Sequence, residues 1–296
     1  NIELINVLFF YRTYVFDIEQ EITKKQVTAE DVTLNAKETI TYTKTGAGTG
    51  TIITSNPHQI ILLTCDHVVN FPDTIFTYFY DKFNNKTKFK ETISVKSSQQ
   101  IYISSFPEGN RMEILAVDPQ NDIALIGKQF ETPITFPPAA FNYPSGKAKE
   151  LEWGSFVYTF GYPLNTKLIS KGIVSNPNKD GKGSFVIDAV FNRGFSGGMV
   201  LAIKDGVPNF EFVGIVKSAP ADYELLLRPD LRDTESEINP YIPYEGNIYV
   251  DKKRNLMYGI ANIVSAEIIQ EFIEDNNQIL EEKGFFIEGS FKPIKN

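Results

Sequence analysis

The sequence predicts an all-β fold of short antiparallel strands arranged in two successive halves and closed by one C-terminal helix. Three observations carry this. Short runs rich in Thr, Ile, Val, Phe and Tyr recur from residue 39 onward, several alternating in polarity as between Phe89 and Val95. Turn clusters such as Gly46-Ala47-Gly48 and Asp81-Lys82-Phe83-Asn84-Asn85 separate them. Pro133, Pro137, Pro138 and Pro144 crowd one stretch ending at Gly146, the natural linker between halves. Strands at this spacing fit an antiparallel sandwich or barrel, not alternating βαβ units.

Composition sets the outer bounds. The 296 residues leave room for one large domain or two small ones. A net charge of −8 makes a poor general nucleic-acid binder, because phosphate contacts need surplus cations. With 42% hydrophobic and 22% charged residues the chain is an ordinary globular one. Cys65 is the sole cysteine, so no internal disulfide forms; with only His58 and His67 beside it, no Cys/His zinc cage is expected, nor any cofactor.

Taken in order, residues 1–38 are expected as an N-terminal helical extension and a candidate site of oligomerisation. Its apolar stretch from Ile5 to Phe16, broken by Asn6 and Arg12, is too short to span a bilayer and lacks the flanks of a signal peptide; Asp17 to Lys37 is charged and helix-compatible. Residues 39–135 form the first half, with strands at 39–45, 49–54, 59–64, 74–80 and 88–95. Residues 136–262 form the second, with strands at 156–160, 167–174, 184–189, 199–203 and 210–216. The excursion 220–250 carries seven carboxylates against Arg228 and Arg232, a net −5, and reads as a long surface loop. In 263–296, Ile268, Ile269, Phe272, Ile273 and Leu280 recur at helical spacing between an N-cap at Ser265 and a stop at Gly284.

Three segments carry chemistry. In Leu62-Leu63-Thr64-Cys65-Asp66-His67-Val68-Val69 a strand runs into a histidine. Asp122 stands before the apolar run Ile123-Ala124-Leu125-Ile126. Ser196 sits in the glycine-rich turn Asn192-Arg193-Gly194-Phe195-Ser196-Gly197-Gly198. Each is ordinary alone: a lone histidine is usually a satisfied core or surface residue, an Asp before a strand a turn residue, a Gly-x-Ser-Gly-Gly a turn needing positive φ. Together they meet the needs of acyl transfer: a hydroxyl, a base, a carboxylate to orient the base, and backbone donors for an oxyanion.

These segments resemble the trypsin-like serine peptidases of the chymotrypsin fold, most of all the protease domain of the bacterial HtrA/Deg family. Gly48-Thr49-Gly50-Thr51-Ile52-Ile53 resembles its first barrel strand, and Thr64 to Val69 its histidine segment. Asp118-Pro119-Gln120-Asn121-Asp122-Ile123-Ala124-Leu125 resembles its aspartate segment. Gly161-Tyr162-Pro163, Leu168 to Ser175, Ile187 to Gly198, Val213 to Val216 and Leu256 to Ala261 follow in the family's order, so the likeness spans about residues 46–275.

The resemblance implies two six-stranded antiparallel β-barrels with the active site between them, plus N- and C-terminal helices. It implies a serine endopeptidase acting on protein or peptide substrates, with no membrane span and an extracytoplasmic (periplasmic or secreted) location, the cytoplasm being the alternative. Ser196 would be the nucleophile, His67 the general base and Asp122 its orienter, with the oxyanion hole at the N–H groups of Gly194 and Ser196. Substrate would pair along Gly214 to Ala219, touching Val216, Lys217 and Ser218. The specificity pocket would have its floor at Val190 and Phe191, favouring uncharged apolar side chains. Phe195 stands where trypsin-type zymogens carry an Asp for a freed N-terminus, so activation by N-terminal insertion is not expected, and no PDZ domain follows in this sequence. The rival class is a peptide-binding scaffold that keeps the fold without the activity. A small-molecule esterase fits less well, because the order Ser…Asp…His is absent.

Overall fold

In the computed structural model, residues 1–23, 35–81, 85–103, 105–106, 111–203, 206, 209–229, 241, 243 and 248–291 are described. The first barrel is built from β1 (Ile2–Val15), β2 (Glu38–Ser55), β3 (Gln59–Thr64), β5 (Lys86–Ile103), β6 (Arg111–Asp118) and β7 (Ile123–Gln129). All neighbours are antiparallel in the order β1-β2-β3-β7-β6-β5, and β1 pairs back onto β5 to close the cylinder. β4 (Thr74–Tyr80) lies outside on β5. The second barrel closes as β8-β9-β10-β15-β12-β11, from β8 (Phe156–Gly161), β9 (Leu168–Asn176), β10 (Phe185–Asp188), β11 (Met199–Ile203), β12 (Phe210–Ser218) and β15 (Ile260–Ser265). The chain is thus all-β with two six-stranded antiparallel barrels.

Ile2–Val15 is a strand, which corrects the helical extension expected over 1–38: the first barrel starts at Ile2. Ile5, Val7, Phe9, Tyr11 and Thr13 point into the barrel with exposures of 0–5%, a two-residue period that makes a strand. Leu8 and Phe10 on the opposite side blur that alternation in the sequence. Both edges of β1 are hydrogen-bonded within the chain, to β2 and β5. Of the helix-compatible stretch 17–37, Ile18–Gln20 forms one 3₁₀ turn, and residues 24–34 lie outside the described residues.

Gly46-Ala47-Gly48, expected as a turn, lies inside the unbroken strand β2. The glycines serve approach instead. A Cβ on Gly48 would fall 2.6 Å from a Val68 methyl and 3.1 Å from the Ser196 carbonyl oxygen, so the histidine segment and the serine turn meet across this one residue. Of the other expected turn, Asp81 and Asn85 are joined by the Asp81 N–H donating to the Asn85 carbonyl, and residues 82–84 lie outside the described residues.

The proline-rich linker is a strap over both barrels. The Phe141 N–H donates to the Ile52 carbonyl, while Gly146 N–H and Phe212 N–H donate to the Phe212 and Pro144 carbonyls. β15 runs to Ser265, past the boundary expected at 262, and leads straight into the C-terminal helix Ala266–Glu282. Ser265 Oγ caps that helix by accepting from the Ile268 N–H, and Gly284 at φ +81° ends it. Its buried Ile268, Ile269, Phe272, Ile273 and Leu280 join the core of the first barrel.

The acidic excursion is not a plain loop. β13 (Ala221–Pro229) and β14 (Ile248–Leu256) pair into an antiparallel ribbon that leaves β12 almost at once. Asp222 and Glu224 lie on it; Asp230, Asp233, Glu235, Glu237 and Glu245 lie outside the described residues.

Candidate active site

His67 sits in a four-residue helix, α1 (Asp66–Val69), set on the end of β3. Its backbone N–H donates to Asp122 Oδ1 at 2.9 Å, and its ring Nδ1 lies 2.8 Å from Oδ2 and 3.0 Å from Oδ1. One carboxylate therefore fixes both the backbone and the imidazole of His67, which directs Nε2 away from Asp122. The histidine side chain is half-exposed, at 50%, while that of Asp122 is 13% exposed.

Asp122 holds φ +65°, a left-handed conformation that Asp tolerates better than most residues. The turn before it is braced twice. Asp118 accepts from the N–H groups of Gln120 and Asn121 at 2.9 and 3.0 Å and from Asn121 Nδ2 at 2.6 Å. From the other barrel, Lys217 Nζ donates to the carbonyls of Asn121 at 3.2 Å and Gln120 at 3.5 Å. Lys217 reaches across because β12 bulges between Val216 and Ser218, which re-aims its side chain.

The serine turn can be followed carbonyl by carbonyl. Asn192 to Phe195 is a turn closed by the Phe195 N–H to the Asn192 carbonyl, with φ +106° at Gly194 and negative φ at Arg193, the type II pattern. A Cβ at Gly194 would lie 2.3 Å from the Tyr162 carbonyl oxygen, so only glycine fits. The Arg193 carbonyl accepts from Leu164 N–H at 3.2 Å, and the Phe195 carbonyl from Gly198 N–H at 2.8 Å. In a trans peptide the N–H points opposite to the C=O. These two carbonyls are turned back into the protein, so the N–H groups of Gly194 and Ser196 in the same peptides are turned away from it. Among the described residues neither N–H has a partner. Ser196 Oγ donates a long bond, 3.3 Å, to the Lys217 carbonyl.

Of the other residues singled out from sequence, Val216 is 1% exposed, and its backbone N–H and C=O are bonded to Gly198 and Gly197. It supports the serine from beneath and offers no backbone group to substrate. Val190 is 70% exposed and cannot be the floor of an enclosed pocket; two residues past β10, it turns outward where the chain leaves the barrel. Phe191 is buried in the second core beside Phe195, ring centroids 6.1 Å apart. Phe195 itself packs apolar surface where an acidic side chain would have needed a cation. Ser218 is half-buried at the end of β12.

Cys65 lies behind the pair: its Sγ, His67 and Asp122 donor atoms fall within 4.8 Å of one another. Composition alone overlooks that a carboxylate completes this three-donor set. The thiol is fully buried and donates to the Val216 carbonyl at 3.3 Å. Burial, with Asp122 adding to it, pushes its pKa well above the ordinary range, so it stays a protonated packing group rather than a thiolate ligand. Asp66 also titrates high, because of burial and then the neighbouring carboxylate of Asp122, against an opposing hydrogen bond from Asn70; its Oδ1 has no partner among the described residues.

What the sequence missed is Thr49. It was legible only as part of a barrel strand, yet it is fully buried and hydrogen-bonded to both the Gly194 and Ser196 carbonyls. A threonine between two glycines was the one available signal.

No curated protein matches the sequence. Solved structures of the HtrA-type protease AlgW are similar to it, one with a tripeptide and one of a variant with a decapeptide. Each is 14% identical with a TM-score of 0.44, covering 94% of this chain and 61% and 64% of theirs; the chain thus spans under two thirds of their length. The model of the trypsin-like peptidase domain matches residues 48–215, which run from the glycine at the barrel interface through His67, Asp122 and Ser196 to the strand beneath the serine. With more than half the chain matched and two closed six-stranded barrels in the structure, this protein belongs to the trypsin-like peptidases.

Proposed function

We propose that this chain is a serine endopeptidase that hydrolyses peptide bonds through an acyl-enzyme. The observation that carries the reading is the serine turn, whose Arg193 and Phe195 carbonyls are bonded inward so that two N–H groups face the other side. Rotation of Ser196 about χ1 exchanges its long bond to Lys217 for one to His67 Nε2. The Oγ then attacks the scissile carbonyl while Nε2 takes its proton, and the carbonyl oxygen, now an anion, accepts from Gly194 and Ser196 N–H. As the C–N bond breaks, the imidazolium gives that proton to the leaving amine. Water, activated by the same Nε2, then releases the acyl group and restores the serine. Asp122 holds the Nδ1–H tautomer throughout and stabilises the imidazolium. Each oxyanion donor is worth about 3 kcal/mol of transition-state stabilisation.

The side chain accepted next to the scissile bond is uncharged and apolar. Phe191, Phe195 and Val216, buried around the serine, carry no charge, and the Lys217 ammonium is engaged with the Asp122 turn rather than offered to an acidic side chain. Substrate backbone pairs with the segment Lys217 to Ala219 at the end of β12. The test is a fluorophosphonate probe with casein digestion. Ser196 should be labelled in the native protein, and Ser196→Ala and His67→Ala should both lose labelling and cleavage with unchanged far-UV circular dichroism. An unlabelled, inactive native protein would favour the scaffold reading. Dominant cleavage of a peptide library after Lys, Arg or Glu would overturn the specificity.

A further inference from the structure

We infer that Thr49, a residue of the first barrel, is a positioning residue for the oxyanion hole of the second, its hydroxyl and its backbone N–H together holding the peptides on either side of Phe195–Ser196. The inference rests on the proposed role of Ser196 and deepens it. Thr49 is 0% exposed, and every polar atom it owns is committed. Its Oγ1 donates to the Gly194 carbonyl at 2.6 Å and accepts from the Tyr162 N–H at 2.9 Å. Its N–H donates to the Ser196 carbonyl at 2.8 Å. Its own carbonyl accepts from Thr64 Oγ1 at 2.8 Å, on the strand that leads into His67.

The consequence follows from peptide planarity. The Gly194–Phe195 peptide is held at its carbonyl by Thr49 Oγ1 and at its N–H by the Asn192 carbonyl. The Ser196–Gly197 peptide is held at its carbonyl by Thr49 N–H and at its N–H by the Val216 carbonyl. Between them lies the Phe195–Ser196 peptide, which supplies one oxyanion donor; before them lies Arg193–Gly194, which supplies the other. Thr49 thus anchors the backbone from which both donor peptides hang, and a flip of either breaks the bond its own carbonyl makes to Leu164 N–H or Gly198 N–H.

The surroundings are shaped to Thr49. A Cβ at Gly197, which holds φ +83°, would lie 2.1 Å from the Thr49 carbonyl oxygen, and one at Gly161 would lie 3.1 Å from Oγ1. Because the hydroxyl is both donor and acceptor, it bridges the Gly194 carbonyl to Tyr162 N–H, which no apolar side chain can do.

The experiment compares Thr49→Ser, which keeps the hydroxyl, with Thr49→Val, which keeps the shape and loses it. Thr49→Ser should stay within about 3-fold of the native kcat, while Thr49→Val should lose about 10- to 100-fold in kcat with KM within about 2-fold, the effect of misplacing a catalytic group by a fraction of an ångström. A peptide boronate, whose tetrahedral adduct places an oxygen in the hole, should bind Thr49→Val more weakly by the same factor as kcat/KM. Should Thr49→Val fail to fold, Thr49→Cys takes its place, with a weaker donor and an intermediate loss. A folded Thr49→Val with native kcat would overturn the inference. So would boronate affinity unchanged despite lost activity, or a serine variant as impaired as the valine one. Fluorophosphonate labelling of Ser196 in the native protein is the control: if it fails, the serine peptidase reading falls first, independently of Thr49.

Discussion

Replacing Asp122 by Asn should abolish catalysis while leaving the fold intact, and the geometry gives the reason for both halves. Asp122 Oδ1 accepts from the His67 backbone N–H at 2.9 Å. Asn retains one carbonyl oxygen for that bond and tolerates the φ of +65° equally well. The amide then presents its NH₂ to Nδ1, which lies 2.8 Å from Oδ2 in the native pair. Two donors cannot face each other, so Nδ1 becomes an acceptor and the ring proton moves to Nε2. An Nε2–H has no lone pair for the proton of Ser196. Loss of the correct tautomer costs about four orders of magnitude in kcat, or about 5 kcal/mol of barrier. The assay is kcat/KM on a fluorogenic peptide with an apolar residue before the scissile bond, beside a thermal melt followed by circular dichroism. The melting midpoint should shift by no more than about 2 °C, since no buried group is left unpaired. An Asp122→Asn variant retaining more than about a tenth of native kcat/KM would refute the assignment of Asp122 as the group that sets the tautomer.

Asp66→Asn should raise the melting temperature at neutral pH, with the gain vanishing in acid. Burial and the Asp122 carboxylate raise the Asp66 pKa in the folded state; the native protein binds that proton more tightly than the unfolded chain, so the penalty is absent below the unfolded pKa and grows as pH rises through the folded one. A gain equal at pH 3 and pH 7 would contradict this. Cys65, fully buried with its pKa driven up by that burial, should resist iodoacetamide at pH 8 in the native protein and react on unfolding in urea; rapid native labelling would show the site opens. The ribbon that leaves β12 begins an excursion of net −5 over residues 220–250, so a peptide with basic flanks should be cleaved faster than one with acidic flanks at low salt. That ratio should shrink once the screening length falls to about 10 Å near 0.1 M, and a salt-independent ratio would leave the ribbon without a role in recognition.

Much of the site was legible in the sequence because its parts are local. His67, Asp122 and Ser196 each stand at a strand end beside turn chemistry that only a few residue types satisfy, and the C-terminal helix carries its own cap, stripe and stop in one stretch. Patterns of that length report the backbone state of each segment and the side that is buried. They do not report which distant segment a given group faces. Ile2–Val15 carries apolar residues on both sides, so its strand character emerged only once β2 and β5 paired with its two edges. Gly46-Ala47-Gly48 has the composition of a turn, and only the approach of Val68 made it the middle of a strand. The resemblance places Val190 at the floor of a pocket, and only the exit of the chain past β10 from its barrel turned it to solvent. The clearest case is Thr49: its neighbours Gly194 and Ser196 are 145 and 147 positions away, and the direction of a carbonyl in one barrel toward a hydroxyl in the other depends on how two closed cylinders meet. Most strands and the C-terminal helix were already written in the order of the residues, because those follow from steric and burial preferences within a few positions, and His67, Asp122 and Ser196 stood out as candidates by their local motifs. Barrel closure and the packing of one barrel on the other set the direction of the Gly194 and Ser196 N–H groups and the clamps of Thr49 and Lys217, because hydrogen-bond direction between chain-distant groups is fixed only when both backbones are in place.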